Sequence, residues 1–134
     1  MVRGAMTQTI TPYLLYEDGE AAIEFLTRAF GFSEVDRAIG GAGGLHAELE
    51  VAPGGARIYL GQPPGEFRNP AHVGRTSLTH VFVDDVDHRY ERARDAGAEI
   101  IEEPTDLPNG HRRFGCADPQ GHEWYFAQPI ERAG

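Results

Sequence analysis

Histidine, glutamate and tyrosine recur at alternate positions in several short stretches of this chain. In HAELEV, His46, Glu48 and Glu50 alternate, so an extended backbone sends all three to one side. A His/Glu pair so placed can ligate a metal or work as acid and base. The alternative is an exposed polar face with Ala47, Leu49 and Val51 packed inward, and Glu50 is assigned to it. In HEWYFAQP, Glu123 and Tyr125 share one side while Trp124 and Phe126 share the other. In LTHVF, His80 lies between Leu78 and Phe82 on one side, as either a buried, hydrogen-bonded histidine or a base. Tyr13 in TPYLLY and Tyr59 in RIYL complete the set of polar aromatic groups.

Other reactive side chains have structural explanations. His122 follows the turn glycine of DPQGH, a position that is structural by default. His111, Arg112 and Arg113 follow an Asn-Gly turn signal and read as a solvated strand end. Asp84, Asp85 and Asp87 sit where a strand meets a helix, where aspartate caps the helix and complements its dipole. Cys116 has no histidine close in sequence to activate it and reads as a small buried hydrophobe. A single cysteine leaves no internal disulfide and no cysteine-based zinc site. No G-x-S-x-G, P-loop or G-x-G-x-x-G setting is present. The glycine-rich Gly40–Gly44 reads as a flexible hairpin loop.

The elements that position these groups are written twice. ITPYLLYEDGEAAIEFLTRAFGF is a strand from Thr11 to Tyr16, a turn at Asp18 and a helix. Ala22, Ile23, Phe25, Leu26, Ala29 and Phe30 fall on one face of that helix, and Gly31 closes it. SLTHVFVDDVDHRYERARDAGAEI repeats the grammar with a strand from Leu78 to Val83, Asp85 and Gly97. Three further strands follow each helix: Glu34–Ile39, Leu45–Val51 and Arg57–Leu60, then Glu99–Glu102, His111–Cys116 and Glu123–Ala127. Asp18 and Asp85, Gly31 and Gly97, and Gly55 and Gly121 are all 66 or 67 residues apart. A held offset marks duplication. The expected fold is α+β, one domain over 1–134 built from two tandem βαβββ modules, residues 7–62 and 77–128, joined by a Pro/Gly-rich linker over 63–76.

A net charge of −9 and a pI near 5.0 argue against nucleic acid or an anionic membrane surface as partner. A cationic small molecule would be attracted. No apolar run approaches a membrane span. The N-terminus shows no signal-peptide core, Met6 could serve as a second start, and a reducing cytoplasm suits the lone cysteine.

The strand, the Asp turn, the helix ending in Gly-Phe and the later DPQGH resemble the vicinal oxygen chelate superfamily of glyoxalases, bleomycin resistance proteins and dioxygenases. TPYLLYEDGEAAIEFLTRAFGF, LHAELEV and DPQGHEWYFA are similar to its PhnB-like branch. The resemblance implies curved mixed sheets enclosing a cleft, and a homodimer. It puts Thr11, Tyr59, Leu78 and Tyr125 at the metal-ligand positions. Leu78 has no donor atom and two phenols are poor partners for a divalent ion, so no metal cofactor is expected. A relocated divalent-metal site made of His46, His80 and Glu123 is the alternative. The same resemblance turns Tyr125 toward the cleft, whose walls become Tyr13, Tyr59, Phe82, Tyr125 and His46, with His80 and Glu123 as acid–base candidates. The implied function is binding of a small aromatic or cationic molecule, as in metal-free bleomycin resistance proteins. The alternative is a lyase, isomerase or dioxygenase using the relocated metal, or metal-free catalysis by His80 or Glu123 with Tyr59 or Tyr125 as proton donor.

Overall fold

Asp18 and Asp85 do the same work in the two halves. In the computed structural model, Asp18 Oδ1 accepts the Ala21 amide at 3.0 Å and starts α1 (Gly19–Phe30). Asp85 Oδ1 accepts the His88 amide at 3.2 Å and starts α3 (Val86–Asp95). Gly31, at φ 76°, ends α1 in the left-handed conformation that glycine tolerates. The structure describes Gln8, residues 10–40 and residues 43–131. Met6 and positions 41 and 42 of the glycine-rich loop lie outside the described residues.

Each module is a four-stranded mixed sheet. The first runs β1-β4-β3-β2, with β1 (Tyr13–Leu15), β2 (Ser33–Ile39), β3 (Leu45–Glu50) and β4 (Arg57–Gln62). The second runs β5-β8-β7-β6, with β5 (Thr79–Phe82), β6 (Glu99–Asp106), β7 (His111–Ala117) and β8 (Glu123–Pro129). The first strand of each module pairs parallel with the last, and the remaining pairs are antiparallel. The fold is therefore α+β and duplicated, as the repeated grammar implies.

Three local differences from the sequence reading have physical causes. Thr11 and Leu78 fall just outside β1 and β5; Pro12, next to Thr11, has no amide to donate, although its carbonyl accepts from Tyr59 N at 2.9 Å. β6 runs on through Pro104 to Asp106 because it is the edge strand, where a missing amide is tolerated, and its register shifts there. The linker contains one helical turn, α2 (Pro70–Val73), with proline at its first position.

The two modules share one core on the helix side of both sheets. Phe30 and Phe32 of module 1 pack edge-to-face on Trp124, at 5.3 and 5.6 Å between ring centroids. Phe30 also meets Phe126 at 4.9 Å. The helices touch, and α3 caps α1: Arg89 donates to the Phe30 carbonyl at 2.9 Å, and Arg92 to the Arg28 carbonyl at 3.0 Å. Carbonyls at a helix C-terminus lack intrahelical donors, so these arginines join the modules where α1 needs partners. Cys116 is fully buried in this core, and burial pushes its thiol up to about 12.

Candidate functional site

Both sheets leave the face away from the helices open, and the chemistry-bearing residues lie on it. On β8, Trp124 and Phe126 are buried while Glu123 and Tyr125 are partly buried on the opposite side. On β3, Ala47 and Leu49 are buried while His46, Glu48 and Glu50 face outward.

On the first face, Tyr13 Oη lies 2.7 Å from His46 Nδ1, and His46 Nε2 lies 3.2 Å from Glu48 Oε2. Arg57 holds the other Glu48 oxygen at 3.1 Å. Tyr59 stands edge-on to both Tyr13 and His46, at 5.7 and 5.1 Å. So Glu48, which alternation placed beside His46, is joined to it.

The second face carries His80 and Phe82 with ring centroids 4.9 Å apart, and His111 edge-on to Phe82 at 5.2 Å. Tyr125 is the register partner of His80. Its ring lies over Gly115, where a Cβ would overlap it. The Arg113 guanidinium sits 5.1 Å from the Tyr125 ring centroid and makes a two-pronged bond to Glu102, at 2.8 and 3.0 Å. Arg113 is therefore not a solvated strand end. The β7–β8 register puts Arg113 opposite Ala127, two residues beyond Tyr125, and so within reach of its ring.

The electrostatics keep His80 neutral and Tyr125 protonated. Partial burial, then the charge of Arg113 and the neighbouring His111, lower the His80 pKa below 6.5. Burial and the Glu123 and Glu102 carboxylates raise that of Tyr125. The Arg113 hydrogen bond lowers Glu102 below its ordinary 4.5. Both His80 and Glu102 bind fewer protons in the folded protein than when unfolded, so acid opposes folding. The His80 contribution is present above pH 6.5 and lost below it; that of Glu102 is lost as pH falls from 4.5 through its lowered value. Melting temperatures should fall between about pH 7.5 and about pH 5 for the wild type, and fall less for His80→Gln.

The two faces are not joined within one chain. Among the described residues, no hydrogen bond, salt bridge or ring contact links Tyr13, His46 and Tyr59 to His80, Phe82 and Tyr125. The relocated metal set is accordingly not assembled: His46 is taken by Tyr13 and Glu48 on one module, while Glu123 pairs with Arg75 at 2.5 Å on the other. Among the described residues no three His, Cys, Asp or Glu side chains converge to hold an ion. The positions matching the superfamily's metal ligands do not fit a metal either, since the Leu78 side chain is hydrocarbon and Thr11 lies outside β1. Of the two candidate bases, His80 and Glu123, the carboxylate of Glu123 is paired with Arg75. His122 is structural, with Nε2 at 2.8 Å from the Leu15 carbonyl.

The family described as "Glyoxalase/Bleomycin resistance protein/Dioxygenase superfamily" matches residues 8–126. Protein Mb0911c of Mycobacterium bovis is 34% identical over 128 residues, which span 90% of this chain and 83% of that one. The crystal structure of TioX from Micromonospora sp. ML1 is similar at 31% identity and a TM-score of 0.69, covering 92% of this chain and 99% of TioX. Glyoxalase I from Zea mays shares the fold at 18% identity and a TM-score of 0.71, with 90% of this chain matching 45% of that one.

Proposed function

This chain belongs to the glyoxalase/bleomycin resistance protein/dioxygenase superfamily, and on that premise we propose that it binds a small planar aromatic molecule without a metal. The carrying observation is the surface of the two open faces. Tyr13 and Leu15 on the first face and Leu78 and Phe82 on the second remain exposed, Phe82 by 59%, although exposed large apolar side chains are usually covered by a ligand or partner where they cluster. The aromatic half of the expected ligand class is favoured over the cationic half, because Arg113 already occupies a cation's place over Tyr125. Coverage by a second copy, as a homodimer, would bring further walls over each face. A PhnB-like, cytoplasmic protein that sequesters an aromatic antibiotic is the specific form of this reading.

A thermal-shift panel of planar aromatic compounds, run with and without chelator, tests it. A ligand that raises the melting temperature equally in both conditions supports the proposal. Tyr125→Ala should weaken that ligand by about 1–3 kcal/mol while the fold survives. Stabilisation by Ni²⁺, Mn²⁺, Zn²⁺ or Fe²⁺ alone would replace it with the enzyme reading.

A further inference from the structure

The geometry points to a second activity on the first module. We propose that Tyr13, His46 and Glu48 form a nucleophilic relay that hydrolyses small apolar esters, with Tyr13 Oη attacking the acyl carbon.

The hydrogen-bond directions follow from the chemistry of the groups. The Glu48 carboxylate can only accept, so His46 carries its proton on Nε2, the atom 3.2 Å from Glu48. That leaves Nδ1 with a lone pair, and Tyr13 Oη, 2.7 Å away, must donate to it. The order is nucleophile, base and orienting carboxylate. Glu48 is itself held by Arg57 at 3.1 Å, and its side chain is only 16% exposed. Tyr13, by contrast, is half-exposed and open to a substrate.

The sheet is built to allow the contact. β4 lies between β1 and β3, so Tyr13 must reach across β4 to touch His46. Gly61 is the β4 residue opposite His46. A Cβ there would stand 3.0 Å from Tyr13 Cε1 and 3.2 Å from its hydroxyl, so the bare glycine provides the floor on which the ring lies. The relay opens on a depression of about 280 Å³ whose lining includes Leu15, Leu45, Pro63 and Pro64. That lining suits the apolar part of an ester.

The fold does not require this arrangement. By the offset of the duplication, Tyr13, His46 and Glu48 correspond to His80, Arg113 and Gly115 of module 2. Those three build the same sheet with no relay.

The reaction balances with water as the co-reactant. Tyr13 Oη bonds to the acyl carbon as its proton passes to His46 Nδ1. The imidazolium, steadied by Glu48, returns that proton to the leaving oxygen as the ester C–O bond breaks. Water then attacks the aryl ester on Tyr13 and gives a proton to His46, which hands it to the phenolate. A carboxylic acid and an alcohol leave, and the phenol is restored.

p-Nitrophenyl acetate is a suitable probe, because the chain contains no lysine to compete for the acetyl group. Release of p-nitrophenolate is followed alongside peptide mass mapping of acetyl-tyrosine. Acetyl should appear first on Tyr13 among the five tyrosines. Tyr13→Phe should abolish it, and His46→Gln should slow it by about 100-fold. Among the described residues the groups facing His46 are Tyr13, Glu48 and Tyr59, with Arg57 behind Glu48. Glu48→Gln should therefore also slow Tyr13 acetylation, and Glu48→Asp, which keeps the carboxylate, should restore part of it, which a merely structural role would not do. Gly61→Val keeps all three side chains but removes the floor, and should also lose Tyr13 acetylation. Each variant is compared at equal folded fraction, measured by its melting curve. Acetylation spread evenly over the tyrosines, or a Tyr13 rate indifferent to His46→Gln and Glu48→Gln, would overturn the proposal. The test does not involve the aromatic ligand, so it stands or fails separately from ligand binding.

Discussion

Trp124→Ala is expected to cost about 3–5 kcal/mol of stability, the usual loss when a large buried aromatic is truncated. Trp124 is fully buried, and its ring meets Phe30 and Phe32 from module 1 as well as Phe126 from its own strand. Its indole Nε1 also donates to Asp118 Oδ2 at 3.1 Å. Truncation thus opens a cavity at the junction of the modules and removes a buried hydrogen bond. Against a total of about 5–15 kcal/mol, that is a large share of the stability. Urea denaturation followed by circular dichroism measures it. Tyr125→Ala, one residue along, should shift the midpoint far less, because Tyr125 faces the other way. A reversed order of the two midpoints would mean that β8 is turned over and that Glu123 and Tyr125 are core residues.

The second large effect centres on a single carboxylate. Asp118 is 4% exposed. It accepts hydrogen bonds from Tyr16 Oη at 2.7 Å, Trp124 Nε1 at 3.1 Å, and the amides of Gln120 and His122 at 3.1 Å each. The Tyr16 bond ties the end of β1 to the turn before β8, so one residue fixes the modules to each other and shapes the turn. Burial first, then the Asp118 charge and its hydrogen bond, hold the Tyr16 phenol protonated well above pH 10, so it remains a donor. Asp118→Ala strands two buried side-chain donors, each costing about 1–3 kcal/mol when left unpaired, and loosens the turn as well. The expected total is about 3–5 kcal/mol, with a smaller loss for Tyr16→Phe, which removes only one bond. A double-mutant cycle of Asp118→Ala with Tyr16→Phe should return a coupling near the full Tyr16→Phe effect. Additive losses would mean that the Tyr16–Asp118 bond contributes nothing and that other contacts hold the modules together.

The sequence by itself determined the duplicated βαβββ plan, the turns and caps at Asp18, Asp85 and Gly31, and which side of β3 and β8 is buried. These follow from local physics: periodicity of two in strands and near 3.6 in helices, and the few residue types that start or stop them. Alternation alone was enough to separate Trp124 from Tyr125. It also placed His46 and Glu48 side by side, but could not decide between an exposed polar face and a working pair. Only the tertiary structure decided which residues on different strands meet. Tyr13 and His46 are 33 positions apart, and their contact depends on β4 lying between β1 and β3 and on a bare glycine beneath the ring. Arg113 is a charged residue after a turn until the β7–β8 register sets it over Tyr125. Glu123 is a candidate base in sequence and an ion-paired carboxylate in space, because the linker delivers Arg75 to it. Tyr16 and Asp118, 102 positions apart, carry no sequence mark of their bond. Such contacts are fixed by chain topology and register, which neither local propensity nor alternation encodes, and they decide which polar groups are free to act and which are already paired.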